Sequence, residues 1–154
     1  MKTAKEYFEE YAESHQNERN QTLHYICVPL IFFSIIGLLM SIPATLLENT
    51  INLSNPLLEN WAVVVALGIS FFYLRLGFWY LIEILFVILI SIVANFWLGN
   101  QVNLLHASIT IFVLAWVGQF YGHKIEGKKP SFLKDLEFLL IGPLWIIHKL
   151  GKKK

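Results

Sequence analysis

A single cysteine, Cys27, stands in the whole sequence. That excludes an internal disulfide and any cysteine-rich zinc or iron–sulfur site. Set in an apolar run, Cys27 reads as core filler. Charge is scarce as well: 15% of residues are charged against 56% hydrophobic, with a mean hydropathy of +0.56. A soluble domain of 154 residues has too much surface to hide that much apolar material, so the chain is expected to be a single membrane domain. Residues 1–22 are charged and polar rather than a basic n-region leading into an apolar h-region. The first apolar run is therefore expected to stay attached as an anchor. Several dense signatures are missing: His-Glu-x-x-His, the His-rich boxes of membrane desaturases, a Gly-rich phosphate loop and a Ser nucleophile elbow. Internal repeats and low-complexity tracts are missing too.

What is present reads as all-α, with about four membrane spans between an N-terminal amphipathic helix and a C-terminal helical hairpin. Tyr7, Phe8, Tyr11 and Ala12 fall at i, i+1, i+4 and i+5 on a charged segment, giving an aromatic face. Thr3 and Glu6 fit a capping box at its start. On one unbroken helix His15 and His24 would stand about 13 Å apart on opposite faces, so sharing a metal requires a bend near Asn17. Beyond such a break Asn20 and His24 stack at i, i+4. Spans are expected near 25–47, 57–74, 77–98 and 104–121, the second being the shortest, with Arg75 and Gly77 marking a tight turn. Interfacial segments are expected at 3–24 and 131–150. In the latter Ser131 is a cap, and Gly142-Pro143 breaks a stretch too short to cross.

Lys2, Lys5, Arg19, Arg75, Lys124, Lys128, Lys129, Lys134, Lys149 and Lys152 to Lys154 all fall on one side of this arrangement, and the loops at 48–60 and 99–103 hold no cation. The positive-inside rule then puts both termini in the cytoplasm, whether the membrane is a bacterial inner membrane or the endoplasmic reticulum.

The polar stretch from Gln119 to Pro130 closes the last long apolar run and gathers His123, Glu126 and several lysines. His15, His24, His123 and His148 all come at the cytoplasmic ends of their segments. His106 lies about 25 Å from His123 along a straight helix and is set apart. His123 could simply cap a helix C-terminus. Three or four histidines with one carboxylate and no thiolate would equally suit divalent iron, manganese or zinc. Glu83, inside a span, either faces a substrate channel or pairs with Arg75 or a neighbouring helix.

Two longer patterns resemble a known family. They are Tyr11-x-x-x-His15-x-x-x-x-Asn20-x-x-x-His24-x-x-x-x-Pro29 and Trp116-x-x-Gln119-Phe120-x-Gly122-His123-x-x-Glu126-x-x-x-Pro130. The family is that of membrane, iron-dependent 2-hydroxy fatty acid dioxygenases, whose founding fungal member works in phytosphingosine breakdown and which has bacterial homologues. The likeness extends over nearly the whole chain, including the Gly142-Pro143 step. It implies α-oxidation that shortens a 2-hydroxy fatty acid by one carbon with Fe(II) and O2. On that likeness His15, His24 and His123 are assigned as metal ligands, and Glu126 as their outer partner or a fourth ligand. Asn20 and Gln119 orient a ligand or the substrate, and Tyr11 or Tyr121 does likewise. Lys124, Lys128 or Lys129 attracts the anionic head group. His148 stands where the family is less constrained and often acidic, and whether it is a further ligand stays open. The expected partners are the hydroxy acid, O2 and the bilayer, with no nucleic acid. A homo-oligomer is left open, because four short spans are few to enclose a lipid tail. The competing readings are a lipid-binding or assembly protein with a structural His cluster, and a b-type haem protein ligated by His24 and His123.

Overall fold

Capping chemistry opens the chain as its sequence requires. Glu6 N–H donates to Thr3 Oγ1 (3.3 Å) and Thr3 N–H returns a bond to Glu6 Oε2 (2.6 Å), starting helix α1 at Ala4–Glu13. A computed structural model describes residues 2–127 and 132–151, the side chains of 132–137 excepted. Among the described residues there are seven helices and no strand. After α1 come α2 (Glu18–Met40), α3 (Thr45–Ile51), α4 (Trp61–Leu76), α5 (Phe78–Gly99), α6 (Leu104–Glu126) and α7 (Phe132–Gly151). Lys128, Lys129, Pro130, Ser131 and Lys152 to Lys154 lie outside the described residues.

α2, α5 and α6 are each long and apolar enough to cross a membrane. At 16 residues α4 is shorter, about 24 Å. It does not recruit Leu57 and Leu58 as the 57–74 span requires, because the Asn60 side chain accepts from Val63 N–H (3.2 Å) and starts the helix at Trp61. The first long helix also differs from the expected 25–47. Asn17 Oδ1 accepts from Arg19 N–H (2.9 Å), which starts α2 seven residues early, and Pro43 disfavours helix at Ile42, so α2 stops at Met40. The break near Asn17 is present, since α1 ends at Glu13 and α2 begins at Glu18.

α6 does not stop at residue 121 but carries helical backbone through His123 to Glu126, and Gly127, at φ +73°, ends it. The expected hairpin at Gly142-Pro143 is not formed, and α7 runs through Pro143 as one helix. A proline inside a helix costs about 3 kcal/mol. Burial of Ile141, Leu144 and Trp145 offsets it, each contributing about 1.5–3 kcal/mol.

The chain forms two compact units, Met1–Phe32 with Phe112–Lys154, and Phe33–Ile111. In the first, α1 packs on α7, with Tyr11 meeting Trp145 (4.8 Å between ring centres) and Phe138 (5.1 Å). In the second, α4 and α5 form an antiparallel pair turning on Gly77, whose φ of +145° favours glycine. Asn95, fully buried on α5, donates to the carbonyls of Phe33 (3.0 Å) and Ser91 (2.9 Å).

Candidate metal centre

The site lies in the first unit, where the backbones of α2 and α6 come close together. Gly118 and Gly122, four residues apart, make this possible. A Cβ on Gly118 would stand 2.6 Å from Cys27 Sγ, and one on Gly122 would collide with Asn20 Oδ1. This contact puts His123 beside His24, their ring centres 5.2 Å apart and nearly perpendicular. His15, on the linker between α1 and α2, stands 4.1 Å from His24 and 5.8 Å from His123. Tyr11 stacks flat on His15 at 4.0 Å.

Hydrogen bonding decides which nitrogens are available. His15 Nδ1 lies 2.6 Å from the Tyr11 carbonyl oxygen and His24 Nδ1 2.9 Å from that of Asn20. A carbonyl can only accept, so both Nδ1 atoms carry the proton and both Nε2 atoms keep the lone pair. His15 Nε2 and His123 Nδ1 are buried with no hydrogen-bond partner. Burial pushes the His15 imidazole down to about 4, the Tyr11 bond only partly opposing it, so the ring is neutral at neutral pH.

The three histidines are buried, and one ligand atom from each lies within 4.8 Å of the others. They could hold a metal ion. Orphaned buried nitrogens are costly, about 1–3 kcal/mol each, and a divalent cation is the group that meets several lone pairs at once. Three imidazoles suit iron, manganese or zinc and leave coordination positions open.

Compared with known families, the chain matches over residues 1–154 the one described as 2-hydroxy-palmitic acid dioxygenase Mpo1-like. It belongs to the Mpo1-like family. No curated protein and no solved structure matches it.

In this Mpo1-like chain the other expected site residues separate into two groups. Glu126 and Asn20 adjoin the histidines. The Glu126 carboxylate accepts from Gln16 N–H (3.0 Å), Asn17 N–H (3.0 Å) and Asn20 Nδ2 (2.9 Å), so it fastens the His15 linker to the end of α6. It is not among the groups close enough to share an ion with the three imidazoles. Gln119 is buried and lines the same cavity as the histidines, its Oε1 without a partner. Tyr121 and Lys124 are exposed and do not line it, and Lys128 lies outside the described residues. His148 faces Phe8 at 5.4 Å. His106 is exposed, and Glu83 is half-buried on α5 in the second unit.

The sequence reading gives no role to Trp116, yet it lines the cavity with a buried, unpartnered Nε1. Its signal was legible in the spacing: residues 116, 119 and 123 share one helical face. The Gly118/Gly122 pair was legible in the same way, as small residues four apart in an apolar helix.

Proposed function

We propose that the chain is an iron(II)-dependent dioxygenase that shortens 2-hydroxy fatty acids by one carbon at the cytoplasmic face of a membrane. The observation that carries this reading is the convergence of three buried imidazoles within 4.8 Å, in a chain of the Mpo1-like family. When bound, iron(II) would supply the O2 chemistry that side chains of this kind lack, acting on a substrate that brings its own electrons for cleaving the C1–C2 bond.

The protein's own residues prepare the site for that ion. His15 and His24 are fixed in one tautomer by backbone carbonyls, which aims their Nε2 lone pairs. Glu126 holds the His15 linker in register. Val28 and Ile31, one and two turns beyond His24, give the cavity an apolar side suited to the start of an acyl chain. Lys124 is exposed in the last turn of α6, where a cation attracts an anionic head group. The haem reading is disfavoured by a third imidazole, His15, lying beside both His24 and His123 with ring centres 4.1 and 5.8 Å away.

The test is metal analysis of detergent-purified protein, followed by O2 uptake after anaerobic loading with iron(II) and addition of a long-chain 2-hydroxy acid. Near-stoichiometric iron and uptake that depends on the hydroxyl are expected, with both lost in His123→Ala. If no metal binds, and alanine at His15, His24 or His123 alters only thermal stability, the cluster is structural and the reading fails.

A further inference from the structure

Two polar atoms of opposite kind stay unmet beside the three histidines. Trp116 Nε1 can only donate and Gln119 Oε1 can only accept, and both are buried without a partner. They sit three residues apart on the α6 face that ends in His123, and both residues line the cavity that His15 and His24 line. Each unmet atom carries the desolvation cost of a buried polar group left unpaired, which an occupant of the right polarity removes.

We propose that Trp116 and Gln119 together read the head of the substrate and select a 2-hydroxy acid over an unsubstituted one. The Trp116 indole N–H donates to a carboxylate oxygen, and Gln119 Oε1 accepts the proton of the 2-hydroxyl. This rests on the dioxygenase reading above. A 2-hydroxy acid carries acceptors on C1 and a donor on C2, one bond apart, which complements a donor and an acceptor one helical turn apart. An unsubstituted fatty acid anion offers acceptors only. It leaves Gln119 Oε1 unpaired against like polarity, and a site built to bond a substrate hydroxyl rejects an analogue that lacks it.

Neither side chain is assigned to the metal, so the selection can be read without turnover. Protein loaded with zinc(II), which has no redox chemistry, is titrated calorimetrically with 2-hydroxypalmitic acid and with palmitic acid. The wild type is expected to prefer the hydroxy acid by about tenfold or more. Gln119→Met and Gln119→Leu bring that ratio close to one by weakening the hydroxy acid alone. Trp116→Phe weakens both acids by a similar factor and leaves the ratio in place. Zinc stoichiometry and the thermal transition stay near wild type in each variant.

A ratio unchanged in both folded Gln119 variants overturns the proposal, as does a Trp116→Phe protein that binds both acids as tightly as wild type. A wild-type protein with no preference overturns it too. If that protein, loaded with iron(II), also takes up no O2 with either acid, the dioxygenase reading falls as well; if uptake requires the hydroxyl, only the present proposal does.

Discussion

Glu126 accepts hydrogen bonds from three donors on the segment between residues 16 and 20, two of them backbone N–H groups. Its carboxylate would therefore act on an ion held by the three imidazoles through His15 rather than directly. Glu126→Ala keeps all three imidazoles but frees the linker, and metal affinity should fall about 10–100-fold, the usual cost of losing an outer partner. Competition with a chromophoric chelator measures this, and an unchanged affinity would show that the linker holds its place without Glu126. The same residues show what the sequence could convey. His15, His24 and His123 were legible as candidates because imidazoles are few and stand at segment ends. For Glu126 the sequence left two roles open, outer partner or fourth ligand, because its partners are largely main-chain groups more than a hundred positions away, and every residue type but proline supplies the same N–H. Trp116 was passed over for a related reason: an indole in an apolar run looks like packing until its N–H is seen to lack an acceptor.

Between elements, the approach of α2 to α6 depends on the absence of two methyl groups. Gly122→Ala places a Cβ against Asn20 Oδ1, and Gly118→Ala places one 2.6 Å from Cys27 Sγ. Each should destabilise the protein by about 1–3 kcal/mol as the helices are forced apart. Gly122→Ala should also weaken metal binding, since it separates His24 from His123, and thermal unfolding with and without metal will read both effects. At α1 the stabilisation is local. Thr3→Ala should cost the helix about 1 kcal/mol, seen as faster amide exchange over residues 4–13. The bond from the Thr3 backbone N–H, with that from its side chain, holds the Glu6 carboxyl below its usual 4.5. The contribution of Glu6 is therefore fully present above pH 4.5 and lost as pH falls through the lowered value. The exchange rates of wild type and Glu6→Gln should converge in acid. The long apolar helices and α1 were legible from apolar runs and caps, whereas α3, which falls where a span end and a loop are expected, and several boundaries were not. The end of α2 follows from Pro43 acting on the residue before it, and the continuity of α7 from packing that outweighs its proline.

Taken whole, the molecule exposes Phe71, Phe78, Trp79, Phe86 and Trp97, surface that water would not tolerate and lipid accepts. The cation pattern predicts an orientation with the cationic side in the cytoplasm, and this is open to direct measurement. With Cys27 buried, the background for thiol labelling is silent. In intact cells an impermeant maleimide should modify Asn52→Cys and Asn100→Cys and spare Lys124→Cys, and the reverse pattern would invert the orientation. Membrane character was the most legible property of all, because composition alone decides it. That His15 and His24 lie at one end of the chain while His123 and Glu126 come about a hundred residues later also sets an order for biogenesis. At about 5–20 residues per second, the first two imidazoles leave the ribosome on the order of 10 s before the third is made. A nascent chain thus offers any passing ion only a loose two-point grip. Under the proposed reading the centre is complete only once His123 has folded against the first two imidazoles, so an ion would be loaded after that step rather than during synthesis.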